Sequence, residues 1–361
     1  SRADMTTPLR KNRFPRRISG GRYEIRKAIG AGGFGQVYSA IDTETKQEVA
    51  VKVEDLGSGP GQLQNEVEIL KLLQEPVQPQ GFTEHYYFGR EGRCQMLVME
   101  ALGCNLEDAL QACEGTFQVK TTVLIAEQLL SRLEYLHSKG VVHQDIKPEN
   151  FALGVNEMQH HIFLIDFGAS KFYFKRHHVW MRWHSSMIGT ARYASINAHK
   201  GRELSRRDDL ESVGHMLFYF LLGTLPWSGL AARTVPEKLA RILRAKVSTP
   251  IDEISAGLPS EFGRYLTYCR GLGFKERPDY AMLRQLFRGL RVRLGEAEGP
   301  PIADHDFEWN ANKNLGRLVP LDLSTSYPQP DDATCTKRSW FSAISSCTSQ
   351  ASTPEPSPAQ E

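Results

Sequence analysis

The sequence predicts an α+β protein with two lobes, a strand-rich lobe first and a helical lobe after it. Up to residue 101, short segments of β-branched and aromatic residues lie between Gly, Asp and Asn residues, as in strands joined by tight turns. Beyond residue 102, apolar residues recur at helical spacing over long segments. Because strands and helices are segregated along the chain, we expect a small antiparallel sheet with one main helix, followed by a larger, mainly helical lobe.

The strand-rich lobe is predicted to contain five strands and one helix. The helix is expected over residues 62–74, because Leu63, Val67 and Leu70 fall on one face at helical spacing. The strands are expected at residues 23–29, 35–41, 48–53, 83–89 and 95–99. In the second lobe, long amphipathic helices are predicted, for example, at residues 121–138, 208–222 and 280–290.

The composition is typical of a globular protein. Of the 361 residues, 40% are hydrophobic and 24% are charged, which allows a large core. The net charge of +2 argues against a dedicated nucleic-acid-binding protein, whose domain is usually strongly basic. The six cysteines never approach CxxC spacing, and no apolar stretch reaches the ~18 residues that span a bilayer. We therefore expect an intracellular protein, cytoplasmic or nuclear, with no membrane span and no nucleic-acid partner. A monomer is expected as well, although none of these features bears on it.

Both ends of the chain differ from the centre in composition. Residues 1–22 contain seven Lys or Arg and one acidic residue, which predicts a basic, flexible arm. Residues 312–361 are rich in Ser, Thr and Pro, and such a stretch buries too little apolar area to offset its ordering entropy. We therefore expect a mostly disordered tail there, and assign the two lobes to residues 23–101 and 102–311.

A glycine-rich segment near the start of the first lobe is a candidate phosphate-binding element. Gly30, Gly32, Gly35 and Val37 fit the pattern G-x-G-x-x-G-x-V, in which glycine lets the backbone approach phosphate oxygens without interference from a Cβ atom. A dinucleotide-binding fold would require a helix after this motif, whereas residues 36–41 continue as a strand. On this motif alone, a glycine hairpin without a ligand remains an open alternative.

A lysine on the next strand is the second candidate. Lys52 is the charged residue that ends the otherwise apolar segment 49–52, where its ammonium group would be held in a cleft and would suit phosphate pairing. A buried lysine needs a carboxylate to offset its desolvation. Glu66 in the following helix is the candidate partner, because Glu68 points to another part of the helix surface. The alternative is that both acids are ordinary surface residues of the helix.

Two further polar motifs follow in the second lobe. Asp145, Lys147 and Asn150 bring a carboxylate, an amine and an amide within six positions, and Asp166 ends an apolar strand segment. Chance does not account for the order of glycine loop, lysine strand, polar loop and strand-terminal aspartate. In this order the four motifs resemble the signature of the protein kinases.

The resemblance implies a bilobal protein-kinase fold that binds ATP with Mg²⁺, or with Mn²⁺ in its place. Asp145 would orient the substrate hydroxyl, and Lys147 would face the transferred γ-phosphate. Lys52, aligned by Glu66, would hold the α- and β-phosphates, which the backbone of the glycine loop would cover. The implied catalytic residues are Asp145, Lys147, Asn150, Lys52 and Glu66, and the implied metal ligands are Asn150 and Asp166.

The same resemblance places the adenine between the lobes. Met99 would be the gatekeeper, with plain core filling as its alternative role, and the backbones of Glu100 and Leu102 would contact the purine. The whole implied nucleotide site is Ile29, Gly30, Gly32, Gly33, Phe34, Gly35, Val37, Ala50, Lys52, Met99, Glu100, Leu102 and Ile165.

A narrower resemblance is to the casein kinase 1 family. The segments 189–199 and 205–212 look like that family, and Ser-Ile-Asn stands at residues 195–197 where most kinases carry Ala-Pro-Glu. The similarity covers roughly residues 22–311. It implies a Ser/Thr kinase for acidic or already phosphorylated proteins, and autophosphorylation of the tail, which would then lower activity.

The chain also departs from the family pattern. Arg192 and Lys238 stand at places of the family's anion site, and Lys171 is a further member. Gln144 replaces the arginine before the catalytic aspartate, and a neutral amide cannot gather an activation-loop phosphate. We therefore expect activity without such a phosphate. Because Gln144 and Ser185 occupy places of expected cations, preference for phosphorylated substrates would be weaker.

Two other interpretations remain open. One is a pseudokinase that acts as a nucleotide-binding scaffold, supported only by Gln144, a residue that does no chemistry. The other keeps the enzyme class but places the chain among the tau-tubulin or vaccinia-related kinases.

Overall fold

The structure, a computed structural model, describes residues 16–32, 35–56, 61–77 and 79–311. The predicted tail and most of the predicted N-terminal arm lie outside these residues, as do Gly33 and Phe34 of the glycine loop.

The first lobe is built on a six-stranded antiparallel sheet. Its strands run in the order β1-β2-β3-β4-β6-β5. They are β1 (Arg17–Ile18), β2 (Tyr23–Gly32), β3 (Gly35–Asp42), β4 (Glu48–Asp55), β5 (His85–Glu91) and β6 (Cys94–Glu100). Among the described residues of this lobe the one long helix is α1 (Gln62–Leu73), which buries Leu63, Val67, Leu70 and Leu73. The predicted strands and helix are confirmed, each end lying within three residues of its predicted place.

Strand β1 differs from the expectation of a flexible arm. Ile18 pairs with Tyr23 on β2 and is 1% exposed. The buried side chain of Ile18 thus attaches the end of the basic segment to the sheet. The charge pattern of the segment does not predict this contact.

The second lobe is mainly helical. Its helices are α2 (Leu106–Ala112), α3 (Val119–Ser138), α4 (Ile196–His199), α5 (Arg206–Leu222), α6 (Val235–Ser248), α7 (Ile251–Ile254), α8 (Ser260–Gly271) and α9 (Tyr280–Glu298). Helix α5 begins with a capping box formed by Ser205 and Asp208 and ends at Gly223, which has a left-handed backbone. The two-lobed α+β architecture is therefore confirmed.

Two short antiparallel pairs place the polar loops at the boundary between the lobes. They are β7 (Val141–Val142) with β10 (Lys171–Phe172), and β8 (Phe151–Leu153) with β9 (Ile162–Leu164). The loops 143–150 and 165–170 lie between these strands, so both enter the same region.

One apolar core continues from α1 into the helical lobe. It includes Leu70 of α1, Leu136 of α3 and the rings of Phe82 and Phe167, whose centroids are 6.3 Å apart. Helix α1 is therefore held against the second lobe by burial. In the described parts of the chain, no helix combines the length and the apolar character needed to cross a membrane.

Candidate active site

Lys52 joins two carboxylates that come from distant parts of the chain. Its Nζ lies 2.6 Å from Oε2 of Glu66 on α1 and 2.7 Å from Oδ1 of Asp166, after β9. The side chains of Lys52 and Glu66 are 7% and 3% exposed, so the ammonium group is desolvated and needs both partners. The structure thus places Glu66 beside Lys52, and it adds Asp166 to the pair.

Burial and ion pairing together set the charges of this cluster. Burial would lower the pKa of Lys52, but Asp166 and Glu66 outweigh it, and the pKa is raised. Burial would likewise raise the pKa of Asp166, but Lys52 outweighs it, and that pKa is lowered. For Glu66, burial raises the pKa against the opposing effect of Lys52. Asp166 is therefore ionised at neutral pH, as metal ligation requires.

The backbone of Asp166 has a left-handed conformation, with φ 65° and ψ 71°. For a residue other than glycine this costs on the order of 1–3 kcal/mol. The next residue, Phe167, is fully buried, and its ring packs against Phe82 and, edge-on, against His143 at 5.5 Å. The packing of Phe167 therefore holds the Asp166 carboxylate toward Lys52.

Asp145 is held on both of its carboxylate oxygens. Oδ2 lies 3.0 Å from Nζ of Lys147, and Oδ1 accepts a hydrogen bond from the Thr190 hydroxyl at 2.8 Å. Burial would lower the pKa of Lys147, but Asp145 outweighs it and the pKa is raised. A carboxylate that already accepts a hydroxyl hydrogen bond has the chemistry to orient a substrate hydroxyl.

Asn150 and Asp166 supply oxygen atoms that suit a divalent cation. The amide nitrogen of Asn150 donates to the backbone carbonyl of Asp145 at 2.8 Å, so its remaining polar atom is the oxygen Oδ1. Asp166 contributes an ionised carboxylate. Such hard oxygen donors are the ligands that Mg²⁺ prefers, and the residues present therefore fit a metal ion.

The backbone before Asp145 is fixed by a buried aspartate on α5. Oδ2 and Oδ1 of Asp209 accept the backbone N–H groups of His143 and Gln144 at 2.8 and 2.9 Å. Gln144 has a φ of 70°, a conformation that is uncommon for a residue with a side chain. Asp209 therefore holds a strained turn and, with it, the position of Asp145.

Strands β2 and β3, which carry the glycine-rich segment, pair with each other in antiparallel orientation. Gly30 lies opposite Val37, and Gly32 lies opposite Gly35. Gly35 has a φ of 130°, and a Cβ atom there would lie 2.4 Å from the carbonyl oxygen of Val53 on β4. Glycine is therefore required at residue 35 by its approach to the next strand.

The remaining residues of the predicted nucleotide site lie on strands of the six-stranded sheet or shortly after β6 and β9. Ala50 on β4 lies opposite Met99 on β6. The N–H of Glu100 donates to the carbonyl of Glu84 at 2.9 Å, whereas the N–H of Leu102 has no hydrogen-bond partner among the described residues. Leu102 packs in a small apolar cluster with Ile165. Ile29 lies on β2 and Val37 on β3.

Residues 23–279 match the family model of the protein kinase domain, which is more than half of the chain. The chain belongs to the protein kinase family. It is therefore a kinase that uses ATP with a divalent metal ion, and its substrates are proteins. The individual roles of the residues described above remain predictions.

The activation segment of this kinase (residues 167–195) is held by a buried carboxylate. Oε1 of Glu203 lies 2.6 Å from Nζ of Lys171, and Oε2 lies 2.9 Å from Nε2 of His184. Burial would raise the pKa of Glu203, but Lys171 and His184 outweigh it, and the pKa is lowered. The backbone N–H of Glu203 also donates to the carbonyl of Arg182 at 2.8 Å. Glu203 thus gathers two basic side chains of the activation segment without a phosphate group.

Side chains from three helices and one turn hold the carbonyl oxygens of residues 191–194, directly after Thr190. Nζ of the fully buried Lys246 donates to residue 191 at 2.9 Å and to residue 194 at 2.5 Å. Nε1 of Trp227 donates to residue 192, and ring nitrogens of His215 and His199 bond residues 193 and 191. We call this set the carbonyl network. It fixes the path of the kinase chain beside Asp145.

The residues of the predicted anion site have different surroundings. Lys171 is paired with Glu203, so its charge is offset and its membership of an anion site remains a prediction. The guanidinium group of Arg192 lies 5.2 Å from the centroid of the Tyr219 ring. Lys238 is half-buried on α6.

Proposed function

We propose that this kinase is a Ser/Thr kinase of casein kinase 1 type, which transfers the γ-phosphate of ATP to hydroxyl groups of acidic or phosphorylated proteins. The observation that carries the proposal is the placement of Asp145 between Lys147 and Thr190, while Lys52 bridges two carboxylates. Phosphoryl transfer requires mainly positioning and charge neutralisation, and this arrangement supplies both.

Each polar group has a proposed task in the transfer. Asp145 accepts the hydrogen bond of the substrate hydroxyl and aims its oxygen at the γ-phosphate. Lys147, whose ammonium group is 3.0 Å from Asp145, offsets charge on the transferred group. Lys52 binds the α- and β-phosphates, and Glu66 keeps its Nζ in place.

Asn150 and Asp166 are the proposed ligands of Mg²⁺, with Mn²⁺ as an alternative. When bound there, the ion neutralises phosphate charge and orients the phosphate oxygens. The contribution of the chain itself is to keep Asp166 ionised, through Lys52, and to fix the amide of Asn150 against the backbone of Asp145.

The proposed preference for anionic substrates rests on local charge. Residues 167–202 contain seven Lys or Arg and no Asp or Glu, although the net charge of the whole chain is only +2. Such a local excess of positive charge attracts anionic segments to the cleft. Arg192 and Lys238 are the proposed contacts for an acidic or phosphorylated residue near the acceptor.

The test measures phosphate transfer from labelled ATP to three peptides. The first has a phosphoserine three residues before the acceptor, the second has acidic residues there, and the third has neutral residues there. Asp145→Asn is the control. We expect transfer that is lost in the control and is faster with the phosphorylated and acidic peptides. Arg192→Ala and Lys238→Ala should reduce this preference more than transfer to the neutral peptide. Transfer without preference would remove the anion site, and ATP binding without transfer would instead favour a scaffold.

The Ser/Thr-rich tail is a proposed substrate of the same site. After incubation with ATP, a chain without residues 321–361 should be more active than the full chain, because no phosphorylated tail can occupy the basic surface. Equal rates before and after incubation in both chains would contradict this.

A further inference from the structure

A cavity of about 680 Å³ lies in the helical lobe, outside the predicted catalytic and nucleotide residues. It is open to solvent on one side and is lined by the C-terminal half of α3, the first residues of α5 and α9, and residues 173–174 and 277. Sites for small molecules usually measure about 300–1,000 Å³, so the space is sufficient for a ligand.

The polar groups of α3 and of the cavity's tyrosines are already paired within the protein. The hydroxyl of Tyr135 donates to the carbonyl of Leu73 at 2.8 Å, and that of Tyr173 donates to the carbonyl of His137 at 2.7 Å. The carboxylate of Glu134 pairs with Arg284. These groups therefore have little capacity left for a ligand.

The lining also has two guanidinium groups. Arg206 donates from Nη2 to the carbonyl of Lys275 at 2.7 Å, and its Nε is buried without a hydrogen-bond partner among the described residues. Arg277 is exposed, and within the described parts of the chain it has no hydrogen bond or ion pair. Since the unpaired donors are cationic and planar, the group that suits them is a carboxylate or a phosphate.

The remaining surface of the cavity is aromatic. Tyr135, Tyr173, Phe174 and Tyr280 contribute their rings, and Arg206 lies 4.9 Å from the centroid of the Tyr173 ring. Aromatic walls favour a flat ring by burial and by offset or edge-on packing. An anion attached to an aromatic ring therefore matches both parts of the lining.

One wall of the cavity is hydrogen-bonded to the catalytic loop. The hydroxyl of Tyr280 lies 2.5 Å from Nδ1 of His137, and Nε2 of His137 lies 2.8 Å from Oδ2 of Asp209. Asp209 in turn accepts the N–H groups of residues 143 and 144, directly before Asp145. These hydrogen bonds connect Tyr280 through two side chains to the loop that positions Asp145.

We propose that this cavity binds an aryl anion, a phosphate or carboxylate carried on an aromatic ring, and that its binding is coupled to the catalytic loop through Tyr280 and His137. The source of the group is either a free small molecule or the phosphotyrosine side chain of a protein, because both present the same chemistry.

The binding test is calorimetry of phenyl phosphate with the full chain, with ADP and Mg²⁺ present to occupy the nucleotide site. We expect binding that Arg277→Ala weakens at least about tenfold, because a charged hydrogen-bond pair is lost. Arg264→Ala, an exposed arginine on α8 outside the cavity, should bind like the wild type. Inorganic phosphate and benzyl alcohol should bind more weakly than phenyl phosphate.

Three results would overturn the site: no binding, binding that Arg277→Ala leaves unchanged, or equal binding of inorganic phosphate. A phosphotyrosine peptide forms a second arm. Binding of the peptide with the same dependence on Arg277 identifies a protein source, and binding of phenyl phosphate alone identifies a small molecule.

The coupling test is amide hydrogen exchange at residues 143 and 144, with and without phenyl phosphate. We expect a shift in exchange rate in the wild type and none in Tyr280→Phe, which keeps the ring and removes the hydroxyl. In parallel, phenyl phosphate should change kcat while leaving KM for ATP as it is. Unchanged exchange and unchanged kcat in the saturated wild type would overturn the coupling, even if Tyr280→Phe fails to fold. Binding and exchange need no phosphate transfer, so they can be judged separately from the proposed function.

Discussion

The hydroxyl of Thr190 donates a hydrogen bond to Oδ1 of Asp145, 2.8 Å away. Thr190 directly precedes residues 191–194, whose carbonyl oxygens are held by Lys246 and its neighbours in the carbonyl network. Asp145 is therefore positioned from two directions, by its own loop through Asp209 and by the end of the activation segment.

Replacement of Thr190 by Val should slow the chemical step. The change removes a hydrogen bond to a charged group, which is worth about 1.5–3 kcal/mol, so kcat should fall by about 10- to 100-fold. KM for ATP should stay the same, because Thr190 lies outside the predicted nucleotide site. Steady-state kinetics measure both. Thr190→Ser keeps the hydroxyl and should recover most of the rate; an equal loss in both variants would show that the hydroxyl is not the group that matters.

Glu203 should make activity independent of phosphorylation. Wild-type kinase treated with a phosphatase should retain its rate, because Glu203 already gathers Lys171 and His184. Glu203→Gln removes the charge, and we expect about tenfold lower kcat together with faster proteolysis within residues 171–184. Glu157→Gln, at an exposed glutamate, is the matched control. If Glu203→Gln were as active and as protease-resistant as this control, the carboxylate would have no positioning role.

Lys246 should contribute strongly to stability although it is charged and buried. Lys246→Met leaves the buried carbonyl of residue 194 without this donor, whereas the carbonyl of residue 191 keeps its contact with His199. An unsatisfied buried carbonyl costs about 1–3 kcal/mol, so the free energy of unfolding should fall by about this amount. Lys238→Met on the same helix is the control and should change it by less than about 0.5 kcal/mol. Urea unfolding provides the comparison, and a similar effect of the two substitutions would contradict the importance of the network.

Mild acid should destabilise the fold through buried histidines. Burial, aided by Lys246, lowers the pKa of His199 from 6.5 to about 3. Between these values the unfolded chain takes up a proton that the folded chain does not, so stability is complete above pH 6.5 and decreases as the pH falls toward 3. The pKa values of His137 and His215 are also lowered, mainly by burial, and act in the same direction.

The measurement is the free energy of unfolding between about pH 5 and pH 8 for the wild type and His199→Gln. Uptake of one proton on unfolding changes the free energy of unfolding by about 1.36 kcal/mol per pH unit. At the acidic end, the free energy of unfolding of His199→Gln should therefore depend on pH less steeply than that of the wild type, by up to this amount. Identical slopes would mean that His199 is protonated in the folded protein.

The parts of the site that the sequence predicts are those carried by local patterns. Strand patterns and glycine spacing predict the strands β2 and β3, and helical spacing on α1 indicates that Glu66 is the partner of Lys52. These relationships depend on neighbours in sequence, so a single chain is enough to predict them.

Other relationships depend on contacts between distant segments. Glu203 is far along the chain from Lys171, and Lys246 on α6 meets residues 191–194 only after the helices have packed. Neither contact is part of a local motif. For Lys246 in particular, a buried lysine in an amphipathic helix has the same sequence pattern as an exposed one. The aromatic cavity is also of this kind, because its walls come from three helices and the start of the activation segment.

The carbonyl network affects how a peptide substrate can be recognised beside residues 191–194. A peptide can bind to a protein edge by strand addition, in which main-chain hydrogen bonds supply affinity regardless of sequence. Residues 191–194 present an edge whose oxygens already accept donors from Lys246, Trp227 and His215. If substrates pass this edge, as the proposed function requires, we expect their side chains to determine selection, and we expect exchange of Arg192 to change the preferred sequence while the supporting backbone stays in place.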